Sequence, residues 1–125
     1  AGGVVTAMLD RVISENNGNA GFSVSNGAKV TARNATSAGN LIGFYADSNA
    51  SELNLESCVS HGNATGIFAN SPGTPTIRLS NCVVTDNTSN GLSIVAGAVQ
   101  SFQNNKLAGN AGLQTGMSAA NPGQQ

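Results

Sequence analysis

The sequence predicts an all-β solenoid, a parallel β-helix of about five coils with 23–24 residues in each. Three observations predict it. Asn recurs at positions 17, 40, 63, 87 and 110, at intervals of 23, 23, 24 and 23 residues. Columns of apolar residues keep step with these asparagines, alternating with polar ones at a period of two, as in a strand with one buried face. After each Asn the chain runs into Gly and then an apolar residue: Gly21-Phe22, Gly43-Phe44, Gly66-Ile67, Gly91-Leu92 and Gly112-Leu113.

The first strand of each coil lies ahead of the Asn. Eight residues before it stand Leu9, Ala32, Leu55, Leu79 and Phe102, and two further back stand Ala7, Val30, Leu53, Ile77 and Gln100. Both columns are expected to face inward, with Gln100 the one polar exception. Between them Met8, Thr31, Asn54, Arg78 and Ser101 form an outward column. A bend is expected at Arg11, Asn34, Ser57, Asn81 and Asn104. Val12, Ala35, Cys58, Cys82 and Asn105 then open a short second strand. The third strand carries the Gly-apolar step and a further inward column, Val24, Ala46, Ala69 and Ile94. The Asn column itself is expected at a corner, in left-handed conformation, its amides bonded along the stack. The extra residue of the 24-residue interval is placed in the SPGTP segment, Ser71 to Pro75, where two prolines mark a loop bulging from the rod. The solenoid domain is predicted over residues 1–113 and a tail, a cap or a disordered end, over 114–125. Since the pattern is already under way at Val4 or Val5, the N-terminal end of the rod is expected to be truncated or uncapped.

Composition agrees with a lightly charged solenoid. Of 125 residues, 39% are hydrophobic and 9% charged, 16 are Gly, and the net charge is −1. Clustered Lys and Arg, the footprint of a nucleic-acid partner, are absent from the sequence. No apolar run is long enough to span a bilayer, so membrane insertion is not expected. Two Cys are too few for a disulfide framework or a structural zinc site.

Segments such as LDRVISENNGNAGFSV, LNLESCVSHGNATGIFA, IRLSNCVVTDNTSNGLSI and FQNNKLAGNAG resemble the repeats of secreted right-handed parallel β-helix proteins of the pectate-lyase-like superfamily. They look closest to the uncharacterised β-helix proteins of soil and plant-associated proteobacteria. The resemblance runs over residues 4–113. It implies a right-handed helix in a secreted or periplasmic bacterial protein and is unspecific for activity.

Enzymes of that superfamily use acidic residues to hold calcium with an Arg as base, or Asp residues on neighbouring coils. Here Arg33, Glu56 and Arg78 fall on one outward face of adjacent coils, which reads as a saccharide or uronate site or as a surface ion-pair ladder worth ~0–1 kcal/mol per pair. Tyr45 and Phe68 alternate with inward residues and should face outward on adjacent coils, a platform for carbohydrate or packing between strands. His61 reads as an exposed turn residue, with Asp86 on the next coil as a candidate partner for acid–base work. Cys58 and Cys82 share one column; buried free thiols are the default, with a disulfide as the alternative. The sequons at Asn34, Asn49, Asn63 and Asn87 read as coincidence in so Asn-rich a chain. No ordered Thr rank exists for ice binding. The expected function is a non-catalytic secreted solenoid module, structural or carbohydrate-binding, without cofactor, metal or catalytic residues, and self-associating through its uncapped end or edge. The alternative is a lyase or hydrolase fragment acting on acidic polysaccharide.

Overall fold

The computed structural model describes residues 5–112 and 118–119. The first coil comprises β1 (Thr6–Asp10), β2 (Ile13–Glu15) and β3 (Ala20–Val24). The second comprises β4 (Lys29–Arg33), β5 (Thr36–Ala38) and β6 (Ile42–Ala46). The third holds β7 (Glu52–Glu56), β8 (Val59–His61) and β9 (Thr65–Ala69), and the fourth β10 (Thr76–Ser80), β11 (Val83–Thr85) and β12 (Asn90–Ile94). Two further strands, β13 (Ala98–Ser101) and β14 (Lys106–Ala108), form two sides of a fifth coil, and β15 (Ser118–Ala119) pairs with β13. Every pairing is parallel and joins equivalent strands of successive coils. Sheet A runs β1-β4-β7-β10-β13-β15, sheet B β14-β11-β8-β5-β2 and sheet C β12-β9-β6-β3. The chain is therefore a three-faced β-solenoid of four complete coils and a fifth begun. The expected tail, 114–125, lies outside the described residues except for Ser118–Ala119.

The core is a set of columns. Leu53, Ile77 and Val99 stack on sheet A beside Ala32, Leu55 and Leu79, while Phe44, Ile67 and Leu92 stack on sheet C. Phe22 and Phe44 lie ring on ring, with centroids 4.8 Å apart and planes 12° from parallel. β-Branched and aromatic side chains suit such columns because each packs against its own kind at the strand spacing of about 4.8 Å.

The asparagines hold the second corner, but not in the conformation expected of them. The left-handed residues stand one position earlier, at Asn16, Gly39, Gly62, Asp86 and Gly109, with φ between 55° and 73°. That turn swings each following Asn inward, where Asn40, Asn63 and Asn87 are buried. The ladder runs mainly from backbone to side chain. Asn17 N–H donates to Asn40 Oδ1 at 2.7 Å, Asn40 N–H to Asn63 Oδ1 at 2.9 Å, Asn63 N–H to Asn87 Oδ1 at 3.0 Å and Asn87 N–H to Asn110 Oδ1 at 3.0 Å. The Nδ2 groups return bonds to the preceding coil, Asn40 to Ser14 O and Asn63 to Ser37 O. Ser37 and Ser60 complete the corner, donating to Gly43 O and Gly66 O at 2.9 Å. Among the described residues no buried side-chain nitrogen or oxygen lacks a partner.

The other polar column does bend left-handed. Arg11, Asn34, Ser57 and Asn81 have φ of 53–55°. In the fifth coil the left-handed residue is Gln103 rather than Asn104, and here the expected register fails. Ile77 pairs with Val99 and Leu79 with Ser101, so the inward places belong to Val99 and Ser101, and Gln100 lies outside beside Arg78. The physical cause is a corner one residue longer: Leu79 to Val83 spans four steps, and its counterpart Ser101 to Lys106 spans five. The extra step turns Phe102, expected in the core, out to 38% exposure. A second added residue lies between Ala69 and Ile77, within the Pro-containing loop, relative to Ala46–Leu53 one coil earlier.

Glycine before the apolar step is sterically required. A Cβ on Gly43 would stand 2.2 Å from Ser60 Oγ, 2.5 Å from Gly66 O and 2.8 Å from Asn63 Nδ2. Gly43→Ala is expected to destabilise the fold by about 2–3 kcal/mol through overpacking. Asn63→Ala, which strands the Asn40 N–H and the Ser37 carbonyl, is expected to lose about 3 kcal/mol and to lower Tm by about 15 °C. Thermal and urea unfolding followed by circular dichroism measures both.

Candidate functional site

The outer face of sheet A collects most of the charged side chains near one another. Residues that alternate with the core columns must point outward, so β4, β7 and β10 present Lys29, Thr31 and Arg33, then Glu52, Asn54 and Glu56, then Thr76, Arg78 and Ser80, in register. Gln100 continues the column of Thr31, Asn54 and Arg78.

Glu52 is the hub of this face. Arg78 Nη1 donates to Glu52 Oε1 at 2.7 Å, and Lys29 Nζ binds Glu52 Oε2 from the other side. Arg78 also donates from Nη1 to Asn54 Oδ1 at 3.1 Å and from Nε to Gln100 Oε1 at 2.9 Å. The guanidinium is thus fixed across three coils. The Arg78 guanidinium first, and the Lys29 ammonium second, hold the Glu52 carboxyl below the usual carboxylate range.

Beside this network lies a groove of about 210 Å³ lined by Thr31, Asn54, Leu55, Glu56, Arg78, Ser80 and Phe102. Its components come from the two irregular features of the sheet. Arg78 is held across the sheet by its three partners, and Phe102 is delivered to the surface by the long corner of the fifth coil. The groove surface is mostly apolar, made by the Phe102 ring, Leu55 and the carbon stems of its polar residues, with few polar atoms exposed in it. Such a surface matches the apolar face of a sugar ring.

Of the residues singled out from sequence, the structure brings Glu56 and Arg78 into this groove. Arg33 is the register partner of Glu56, is exposed, and stands outside the lining. The expected ladder of ion pairs through Arg33, Glu56 and Arg78 is replaced by one centred on Glu52, because Arg78 reaches diagonally to β7's first residue. Among the described residues, the remaining ion pair joins Arg11 to Asp10 at 3.0 Å.

Tyr45 and Phe68 lie elsewhere, on sheet C, in the column Ser23-Tyr45-Phe68-Ser93. Their ring centroids are 5.3 Å apart at an interplanar angle of 34°. The rings are tilted against one another, and Asn70 Nδ2 donates to Tyr45 Oη at 3.1 Å. His61 is exposed on β8, opposite Thr85 of β11. Two of the sequon asparagines, Asn63 and Asn87, are buried in the ladder, whereas Asn34 and Asn49 are exposed.

Cys58 and Cys82 are free thiols, both buried. Cys58 Sγ lies 3.3 Å from Ala32 O and Cys82 Sγ 3.4 Å from Leu55 O, so each thiol addresses a carbonyl of the preceding coil. Asn105 Nδ2 makes the same bond to Leu79 O at 2.9 Å in the last coil. The Cys82 thiol is pushed up by the Cys58 sulfur beside it and then by burial, so Cys82 keeps its proton.

Sequence reasoning passed over Glu52, Thr31, Asn54, Ser80, Gln100 and Phe102 as site residues. A signal for the last two was present: a polar Gln100 in an apolar column, two residues before an aromatic ring, marks a strand read one position out of phase.

A family model described as a right-handed beta helix region matches residues 3–122. No curated protein and no solved structure matches the chain.

Because the folded-state pKa of Glu52 is depressed, its ion pairs contribute stability that is present above the unfolded carboxylate pKa and is lost as pH falls through the folded value. Tm is expected to fall as pH drops through and below the ordinary carboxylate range. Glu52→Gln should lower Tm at neutral pH and flatten that acid slope, as followed by scanning calorimetry. Both cysteines should resist iodoacetamide in the folded protein and both should be alkylated after unfolding without reductant, read by intact mass.

Proposed function

We propose that this chain, which belongs to the right-handed β-helix family, is a non-catalytic solenoid module that holds carbohydrate on the outer face of sheet A. The observation that carries this reading is the groove whose largely apolar lining brings Phe102 together with the fixed Arg78 and with Glu56. Aromatic ring and planar hydrogen-bonding groups on a rigid sheet are what a pyranose needs for orientation, and a sheet holds them with little entropy left to lose on binding. Acid–base cleavage asks more. It needs two carboxyl groups, or a base and an acid, free to exchange protons on opposite sides of a bond. Glu56 is one such group; the other carboxylates of the face are already engaged, Glu52 by Arg78 and Lys29 and Asp10 by Arg11.

The second reading, a lyase or hydrolase acting on acidic polysaccharide, is favoured by Arg78 standing in the groove with Glu56. The two readings separate in one assay. Incubation with oligosaccharides should yield binding without new reducing ends or unsaturated products, and Phe102→Ala should weaken binding by about tenfold or more. Turnover abolished by Arg78→Ala or Glu56→Ala would establish the enzyme instead. A secreted location suits a module that meets polysaccharide. The exposed Val5, Met8 and Ile13 of the first coil support association through that end, for which light scattering should report a dimer or larger species rather than a monomer.

A further inference from the structure

We infer that the open edge of β1 docks a second copy of this chain: two first coils meet head to head, their β1 strands antiparallel, with the two-fold axis at Met8. This rests on the association through the first coil proposed above and names its strand, partner and register. It is independent of the carbohydrate reading.

Strand alternation decides which groups that edge offers. Val5 O accepts from Lys29 N–H at 2.8 Å and Arg11 N–H donates to Arg33 O at 3.0 Å, so the odd-numbered residues here turn their backbone groups toward β4. Backbone groups alternate sides along a strand, which leaves the N–H and C=O of Thr6, Met8 and Asp10 pointing away from the rod. Among the described residues sheet A ends at β1, and nothing pairs with these groups. Native sheet edges are commonly protected by Pro, Lys or a bulge; β1, Thr-Ala-Met-Leu-Asp, carries none of these. All five of its residues are exposed or half-buried, whereas Phe22 and Val24 of β3 in the same coil are buried. The uncovered side of this end is therefore sheet A. At the far end of the sheet β15 covers β13 and presents an edge of only 2 residues. A five-residue edge finds its full-length match in another β1.

The sequence of β1 selects the register. Met8 on Met8 sets Thr6 against Asp10 on both sides, so all three edge residues exchange hydrogen bonds with the second copy. A shift toward Asp10 leaves Thr6 without a partner and ends with Asp10 on Asp10, like charges face to face. Side chains agree with the Met8 register on both faces of the sheet. Inside, Ala7 meets Leu9 of the second copy, which continues the small-on-large order of Leu9 on Ala32 and Ala32 on Leu55. Outside, the row Glu56, Arg33, Asp10 runs on into Thr6, Lys29 and Glu52 of the second copy, so no two like charges are neighbours along it. Met8, 66% exposed in the single chain, is covered by its own counterpart.

Analytical ultracentrifugation of the full chain should show a dimer that dissociates on dilution. Met8→Lys sets two ammonium groups opposite each other at the axis and should raise the dissociation constant by about tenfold or more. Ile13→Lys, on the outer face of sheet B in the same coil, should change it by less than about twofold. Circular dichroism checks that both variants keep the fold. Copper-phenanthroline oxidation of Met8→Cys should give a disulfide-linked dimer on a non-reducing gel, since facing Cα atoms in such a pair lie about 5.5 Å apart. Thr6→Cys should stay unlinked, because its two copies stand about 14 Å apart along the strands. A monomer at every concentration overturns both the association and the pairing. Species larger than a dimer, a dimer indifferent to Met8→Lys, or linkage through Thr6→Cys instead of Met8→Cys leaves the association standing and overturns this edge and register.

Discussion

The coil depends on one hydrogen bond repeated up the rod: the backbone N–H of an Asn donated to the side-chain oxygen of the Asn above it. A corner in a parallel solenoid turns the backbone away from its neighbour, and there the sheet can no longer satisfy it. An amide side chain is the shortest group that carries both an acceptor for an N–H of the coil below and a donor for a carbonyl of that same coil. Because both bonds are buried, leaving either unmade is far more damaging than the modest gain from making it would suggest. The glycines follow from the same constraint. A Cβ on Gly43 would enter the space of Asn63 and its Ser60 partner, and one on Gly66 the space of Asn87 and Val84. Asn, Ser and Gly are thus one device rather than three separate preferences.

This explains why the architecture was so legible. Asn17 to Asn110, the Gly-apolar steps and the inward columns are copies of one solution, and repetition makes a weak single-coil signal strong. The detail of the corner was not legible in the same way. Asn is suited both to left-handed conformation and to side-chain hydrogen bonding, and sequence does not say which property a given Asn uses. Here Gly39 and Gly62 take the left-handed position, which leaves Asn40 and Asn63 free to point inward. Asp86 takes it too, and Arg11 and Ser57 are left-handed at the other corner, held there by the pairing on either side despite the steric cost to a residue with a Cβ.

The groove was half legible, for a related reason. Arg78 and Glu56 are visible from alternation alone, because outward positions follow from inward ones. Arg78 crosses diagonally to Glu52, whereas column-by-column reading pairs only equivalent positions, and its bond to Gln100 lies in a column that the sequence pattern puts one position out of phase. Phe102 was hidden by a break in periodicity rather than by weak chemistry. Tyr45 and Phe68, in contrast, keep perfect register, and for that reason they pack on each other as the core columns do.

The five-step corner after Ser101 bears on how such a rod can change. In most folds an added residue inside a strand-to-strand connection either loops out harmlessly or damages the core. Here the displaced aromatic leaves the interior, Ser101 closes the place it vacated by accepting from Asn105 Nδ2 at 2.9 Å, and the ladder from the preceding coil still reaches Asn110. A stack of near-identical turns can therefore shift the phase of a single strand and convert packing material into surface. Novelty enters the molecule by a slip of one position, confined to the coil in which it occurs.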